Sequence, residues 1–414
     1  MHRAGPLAER EFRLLFLGRT TSFVGSAFAN VALAFAVLDL TGSKADLGYV
    51  LAARMVPMLV FLLVGGIWAD RLPRHHVMVT TNLVSGGTQA GIAALLFSGH
   101  ARIWQIAVLA AVNGASSAFF FPASSGIVPQ TVPHSLLQQA NALLRLGRNG
   151  VYIVGGALAG LVVAATSPAV GIAVDAGTFV LAAVFLGAMR IPSSLRLEAT
   201  SLAAELAEGW REVASRTWLW VIILQFGVVN AIEQGAQSVL GPAIAKDHLH
   251  GPAGWGLVLT AEALGLVVGG LFLLRLRPRR MLLVATIGFL FTVPLLFGLA
   301  IPLPLPAVAV LAFVTGVGTE TFGVLWDTTM QQEIPHDRLS RVYSYDALGS
   351  FALIPLGLAA AGPVAQLAGT GRALFGAALI SLAATLAVLL VRDVRELRRR
   401  KDRAAREPVL EAAS

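Results

Sequence analysis

The sequence contains no cysteine, which excludes disulfide staples, thiolate metal sites and a cysteine nucleophile. Charge is also scarce: Asp, Glu, Lys and Arg make up 13% of the 414 residues, about half the share of an ordinary globular domain. That scarcity excludes a conventional solvated surface. No glycine-rich loop closing on Gly-Lys-Ser/Thr occurs, so ATP is not expected to drive any work done here. A Gly-x-Ser-x-Gly nucleophile turn is missing too. His75-His76 are adjacent and cannot put both rings on one helical face, as a zinc pair would. The sequence therefore predicts no enzyme, no cofactor and no metal. Met1 to Arg13 lacks an apolar run ending at a small-residue cleavage site, so no removable signal peptide is expected.

What is present is apolar, at 56% hydrophobic residues. A hydrocarbon core roughly 30 Å thick is crossed by about 20 apolar residues. Runs of that length fall at 13–40, 46–69, 77–98, 103–128, 141–165, 168–190, 218–243, 253–274, 281–301, 305–328, 342–368 and 373–391. An all-α integral membrane protein with twelve transmembrane helices is the fold class expected. The formal charge of +8 could suggest a nucleic-acid partner, but the placement of the bases argues against one. Apart from Arg19 and Arg54 inside spans, they cluster in every second loop and at both termini, while the intervening loops carry only Lys44, Arg102, Lys246 and Arg372. By the positive-inside rule both termini are cytoplasmic, and the charged partner is membrane lipid. Arginine serves as the base except at Lys44, Lys246 and Lys401, and alanine is abundant. Such usage fits a GC-rich bacterial genome, hence a multi-pass protein of the bacterial inner membrane.

The chain repeats itself. Val128-Pro129-Gln130-Thr131-Val132-Pro133-His134 matches Met330-Gln331-Gln332-Glu333-Ile334-Pro335-His336, and the register continues with Leu137 over Leu339, Gly147 over Gly349, Gly155 over Gly357 and Gly160 over Gly362. Gly65-Gly66 likewise answers Gly269-Gly270, which precedes the basic turn Arg275 to Arg280. An offset holding an even number of spans makes the halves parallel copies about an axis normal to the membrane. The expected domains are a six-helix bundle over 1–192, a linker over 193–217, a second six-helix bundle over 218–392 and a basic cytoplasmic tail over 393–414. In the linker, Leu202, Leu206, Trp210 and Val213 recur at helical spacing with Glu205, Glu208, Arg211 and Glu212 on other faces. Two readings stand: an amphipathic helix on the cytoplasmic surface, or a simple tether.

Between the second and third spans lies Gly65-Gly66-Ile67-Trp68-Ala69-Asp70-Arg71-Leu72-Pro73-Arg74. Its glycines let a neighbouring helix approach closely, and an acid beside bases at a span end is costly near lipid unless paired. With the two parallel halves and the central linker, this motif makes residues 10–392 resemble the major facilitator superfamily. Phe12-Arg13-Leu14-Leu15, Gly18-Arg19-Thr20, Leu40-Thr41-Gly42-Ser43 and the stretch from Phe121-Pro122-Ala123 to Asn141-Ala142 resemble its branch of macrolide-efflux proteins and siderophore exporters, among the drug:proton antiporters.

The resemblance implies a gating hinge. Gly65 and Gly66 would pack the second span on the eleventh, and Asp70 would face the N-terminus of the eleventh helix near Ser340 to Ser344. Arg71 and Arg74 would pair with Asp70 or with lipid phosphate, in a contact that favours the outward-facing form; alternatively the two arginines only set topology. Two departures weaken the antiporter assignment and place control in the first half. Gly155-Gly156 stands where antiporter relatives carry Gly-Pro, and Arg275 to Arg280 lacks an acid.

A charge at the centre of a spanning helix costs around 2.5–3.5 kcal/mol on insertion scales, so each one is a candidate site. Asn230, Glu233, Gln234 and Gln237 lie at i, i+3, i+4 and i+7, which predicts one polar stripe lining a substrate or proton cavity, or else a helix–helix hydrogen-bond seam. Glu262 and Glu320 are single acids in apolar runs and are candidates for carrying a proton. Asp175 is a weaker one, and Asp327 is expected to pair with Arg338 or Arg341. In the first half the polar positions are Arg19, Asn30 and Arg54. Arg54 is expected to partner Asp46 or a cavity acid, and Arg19 to snorkel. Phe119-Phe120-Phe121 and Trp255 offer apolar surface to a bulky ligand, or simply pack.

The sequence-based expectation is a monomeric secondary active transporter that exports a moderately hydrophobic small molecule in exchange for protons, by alternating access. A proton-coupled importer and a lysolipid flippase are the alternatives.

Overall fold

The computed structural model describes residues 5–71, 73–191, 210–275 and 278–397. The side chains of 62–72 lie outside the described residues, and with them Gly65, Gly66, Asp70 and Arg71 of the predicted hinge; so do residues 192–209 of the linker and 398–414 of the tail. Among the described residues every regular element is a helix. The first half holds α1 (Arg10–Thr41), α2 (Lys44–Arg71), α3 (Arg74–Phe97), α4 (Ile103–Gly126), α5 (Leu137–Ala165) and α6 (Pro168–Gly187). The second holds α7 (Thr217–Gly235), α8 (Gly241–His248), α9 (Gly251–Arg275), α10 (Met281–Phe289), α11 (Val293–Ala300), α12 (Leu305–Glu333), α13 (His336–Phe351), α14 (Ile354–Ala368), α15 (Thr370–Leu390) and the short α16 (Arg392–Glu396).

Ten helical stretches among the described residues are long and apolar enough to cross a membrane. Three of them join two of the labelled helices: Thr217–His248, Met281–Ala300 and Arg341–Ala368. To these α2 and α3 add 28 and 24 helical residues, roughly 42 and 36 Å at 1.5 Å per residue. Local sequence explains the breaks. Gly42 ends α1 in the left-handed conformation, φ 66°, where glycine carries no steric penalty. Pro168 opens α6, and the Ser167 side chain accepts from the Val170 amide, satisfying a donor that the helix start leaves free. Inside the seventh span, Ala236–Leu240 is wound as a π-helix between α7 and α8.

Compactness groups the chain into two units. Unit 1 comprises Met1–Glu198, Gln237–Thr260 and Leu358–Pro363. Unit 2 comprises Ala199–Ala236, Ala261–Gly357 and Val364–Ser414. Within unit 1, α2 packs on α4, and α6 packs on α1 and α3. Phe12, Leu15, Met78, Ile127 and Leu186 are fully buried there. Within unit 2 an aromatic core joins Phe226 to Phe322 at 4.3 Å and to Phe289 at 4.7 Å, with Trp326 stacked on Phe322.

The repeated glycines do the same work in each half. Gly155 on α5 packs against Ala27 of α1, where an added Cβ would lie 2.7 Å from the alanine methyl. Its counterpart Gly357 on α14 packs on the backbone of Ala231 of α7. Gly160 on α5 meets the Pro252 carbonyl of α9, and its counterpart Gly362 on α14 meets the backbone of Ala45 on α2. Small residues at these points let backbones touch, and such contact holds helices together in lipid, where apolar burial offers no drive between them.

Candidate functional site

The second-half acids converge in part. Thr292 closes a 3-10 turn, Leu290–Thr292, that interrupts the ninth span ahead of Pro294 on α11. Proline supplies no backbone donor and ends the preceding helical ladder. The break aims the Thr292 hydroxyl at α7, where it donates to Glu233 Oε1 at 2.7 Å. Glu262 on α9 lies within electrostatic reach of Glu233, and Gly316 of α12 packs on its carbonyl oxygen. Two carboxylates so placed repel each other when both are charged, so adding or removing one proton changes the field inside the unit. Glu320 stands one helical turn beyond Gly316. Its carboxylate lies against Gly270, where a Cβ would sit 3.4 Å from Oε1. The Gly269-Gly270 pair thus makes room for an acid.

The predicted stripe on the seventh span divides among different neighbours. Asn230 donates to the Ser350 carbonyl of α13 at 3.0 Å, a helix–helix seam. Glu233 turns to Thr292, Gln234 is exposed, and Gln237 falls in the π-helical segment and groups with unit 1. The wider π turn carries Gln237 away from the register that a regular helix would give it.

In unit 1, Arg19 donates to the Ser124 carbonyl at a long 3.5 Å and lies over the Phe23 ring. Asn30 is exposed on α1, and Arg74 opens α3 half-buried. Arg54 acts electrostatically on Asp175 of α6. Asp175 is 1% exposed and accepts a hydrogen bond from Gln89 of α3. Gln89 and its polar neighbours on α3 and α4 were not singled out from sequence. The signal was available, because Thr81, Ser85, Thr88 and Gln89 recur at helical spacing on one face. Trp255 is buried against Gly241, a packing role. Phe119 lines an apolar cavity of about 450 Å³ between α3 and α4, together with His76, Val84, Val112 and Ser116.

Ahead of α7, Glu212 is buried and binds two arginines, Arg216 at 2.6 Å and Arg338 at 2.9 Å. Burial alone would push its carboxyl up, but the paired guanidiniums outweigh burial and hold it below the usual glutamate range. Asp327 accepts from the Tyr343 hydroxyl at 3.2 Å.

Helices of spanning length, paired through repeated small residues and carrying few charges, define a polytopic membrane transporter of the major facilitator fold. A family model described as transmembrane secretion effector matches residues 2–413. The chain belongs to that family. It is 27% identical over 411 residues to the multidrug efflux pump Tap of Mycolicibacterium fortuitum, covering 95% of this chain and 98% of that protein. To macrolide efflux protein A of Streptococcus pyogenes it is 23% identical, covering 84% and 87%. Among solved structures, the nucleoside transporter NupG superposes with a TM-score of 0.71 at 12% identity, over 94% of this chain and 99% of that one. A bacterial homologue of the iron transporter ferroportin does so with a TM-score of 0.70 at 18% identity, over 92% and 98%. These two likenesses show the fold. By its family the chain is a membrane transporter and not an enzyme.

Proposed function

We propose that this protein exports moderately hydrophobic small molecules, of the drug and macrolide kind, across the bacterial inner membrane in exchange for protons. The observation that carries the reading is the Thr292–Glu233–Glu262 cluster, in a chain that resembles a multidrug efflux pump over 95% of its length and a macrolide efflux protein over 84%. An intramembrane acid with a neutral donor on one oxygen and a like charge nearby can take up a proton and later release it, which suits exchange against a lipophilic ligand. Glu320 extends the acidic surface, with Asn230, Gln234 and Gln237 as polar contacts for substrate and Arg19, Asn30 and Arg54 as first-half polar positions. The halves over 1–192 and 218–392 rock about the site in alternating access. Gly65, Gly66, Asp70, Arg71 and Arg74 form the hinge, both termini are cytoplasmic, and the protein works as a monomer in contact with lipid.

The test is proton flux in inside-out vesicles, followed with a pH-gradient dye as macrolides, lipophilic cations and catecholate siderophores are added. Substrate-triggered collapse of the gradient is expected, lost in Glu233→Gln and in Glu262→Gln. Proton-coupled export that survives both substitutions together would overturn the coupling assignment.

A further inference from the structure

The first-half bundle buries a carboxyl that the coupling scheme above leaves unused. Asp175 sits in the middle of α6. Its Oδ2 receives the Gln89 amide, while Oδ1 is buried with no hydrogen-bond partner. Gly25 of α1 closes over that oxygen: a Cβ there would lie 2.5 Å from Oδ1 and would also strike the Thr178 hydroxyl. An ionised carboxylate has about four lone-pair positions to satisfy, and here a single donor and a through-space cation are supplied. A group so sparsely served is placed to change its protonation state, whereas a purely structural carboxylate is normally surrounded by donors.

The ionisable surroundings are few. Of the helices packed on α6, α1 carries Arg10, Glu11, Arg13 and Arg19 near one end and Asp39 near the other. Helix α3 carries Arg74, His75 and His76 in its first turn, and α5 carries Arg145 and Arg148 in its first half and Tyr152 near its middle. Arg54 on α2 is the charge that acts on Asp175.

A polar seam leads away from the acid. On α3, the Thr88 hydroxyl beside Gln89 receives Asn113 Nδ2 of α4 at 3.4 Å. One turn back, Ser85 Oγ donates to Ser116 Oγ at 3.4 Å, and Ser116 Oγ donates to the Thr81 carbonyl at 2.9 Å. From Gln89 to Thr81 the seam covers eight residues of helix, roughly 12 Å. It ends at Thr81 and Ser116, which line the α3–α4 cavity together with His76 and Pro73. Hydroxyls and amides in such a row, with waters between them, can pass a proton.

We infer that Asp175 is a second proton-exchanging site, seated in the first-half bundle and reached from the α3–α4 cavity through the Thr81–Ser116–Ser85–Thr88–Gln89 seam. The proton binds Oδ1, the oxygen without a partner, to give the neutral acid, and its loss restores the carboxylate within electrostatic reach of Arg54. The inference goes beyond the efflux reading, because it concerns proton binding by the protein alone.

The test is infrared spectroscopy of the full-length purified protein in lipid, without any drug, following the carbonyl stretch of protonated carboxylic acid as pH is varied. A band that titrates is expected, displaced in frequency in Asp175→Glu and lost in Asp175→Asn. In Arg54→Gln its midpoint should shift, because a charge that acts on Asp175 is removed. Ser116→Val should slow its hydrogen–deuterium exchange several-fold without changing the midpoint. A band unchanged in both Asp175 variants would overturn the proposal. Should those variants fail to fold, an unmoved midpoint in Arg54→Gln would do the same. Exchange unaffected by Ser116→Val would overturn the route. Failure here leaves drug-driven proton flux in vesicles standing, and absent flux leaves this band standing.

Discussion

Lys246 at the end of α8 reaches the end of α1, where its Nζ contacts Asp39 Oδ1 at 2.5 Å and the Leu38 carbonyl at 3.0 Å. A cation at the C-terminus of α1 gains from the helix dipole as well as from the carboxylate. Both side chains are about half exposed, at 40% and 52%, so the pair contributes less than about 1 kcal/mol. Lys246→Ala is expected to change the transport rate by no more than roughly fivefold, with Lys246→Arg, which keeps the cation at the end of α1, retaining most of the wild-type rate. Transport assayed at low and high salt checks this, since the difference between wild type and Lys246→Ala should shrink as salt rises.

Gly160 and Pro252 make a stricter contact. A side chain at 160 has no room before the Pro252 carbonyl, and overpacking of a tight interface costs about 1–3 kcal/mol. Gly160→Val is expected to lower the melting temperature in detergent, and Gly362→Val to do likewise at the repeat-related contact with Ala45. Because the chain has no cysteine, a single cysteine placed at Ala253 reports the opening of this contact without background. Its labelling rate should rise in Gly160→Val.

Glu212 binds two arginines that remain partly exposed, at 29% and 43%. Glu212→Gln is expected to cost about 1–2 kcal/mol at neutral pH, the lower part of the range for charged hydrogen bonds. The sign with pH follows from the direction of its shift. Its carboxyl titrates lower in the folded protein than in the unfolded chain. The stabilisation is therefore fully present above the ordinary glutamate range and is lost as pH falls through the folded-state value. Melting curves of wild type and Glu212→Gln, taken from neutral pH downwards, should converge in acid.

Thr292 donates to Glu233 and contributes no charge. Thr292→Val keeps the volume and removes the donor, which changes the balance between the two protonation states of Glu233. The expected outcome is a displaced pH profile of drug-driven proton flux with substrate affinity nearly unchanged. A uniform loss of activity at every pH would indicate a packing role only.

Much of this was legible in the chain. The length of the apolar runs and the alternation of arginine between loops require helices across a bilayer, since backbone polar groups in hydrocarbon must pair within their own segment. The repeat offset marked the glycines at 147, 155 and 160 with partners at 349, 357 and 362, and Gly155/Gly357 and Gly160/Gly362 make equivalent contacts in space. Glu233, Glu262 and Glu320 stood out because charge in a span is rare. Their mutual arrangement did not. Glu262 lies within electrostatic reach of Glu233, Glu233 finds Thr292 some 59 residues away, and Gln237 falls in a π-helical segment that the other stripe residues precede. Nor could the sequence bring Arg54 within electrostatic reach of Asp175, or place Gln89 beside it, since those side chains come from three helices separated by long stretches of chain. Spacing along one helix fixes a face. Which face meets which neighbour depends on where small residues let backbones close, and that was decided only by the tertiary packing.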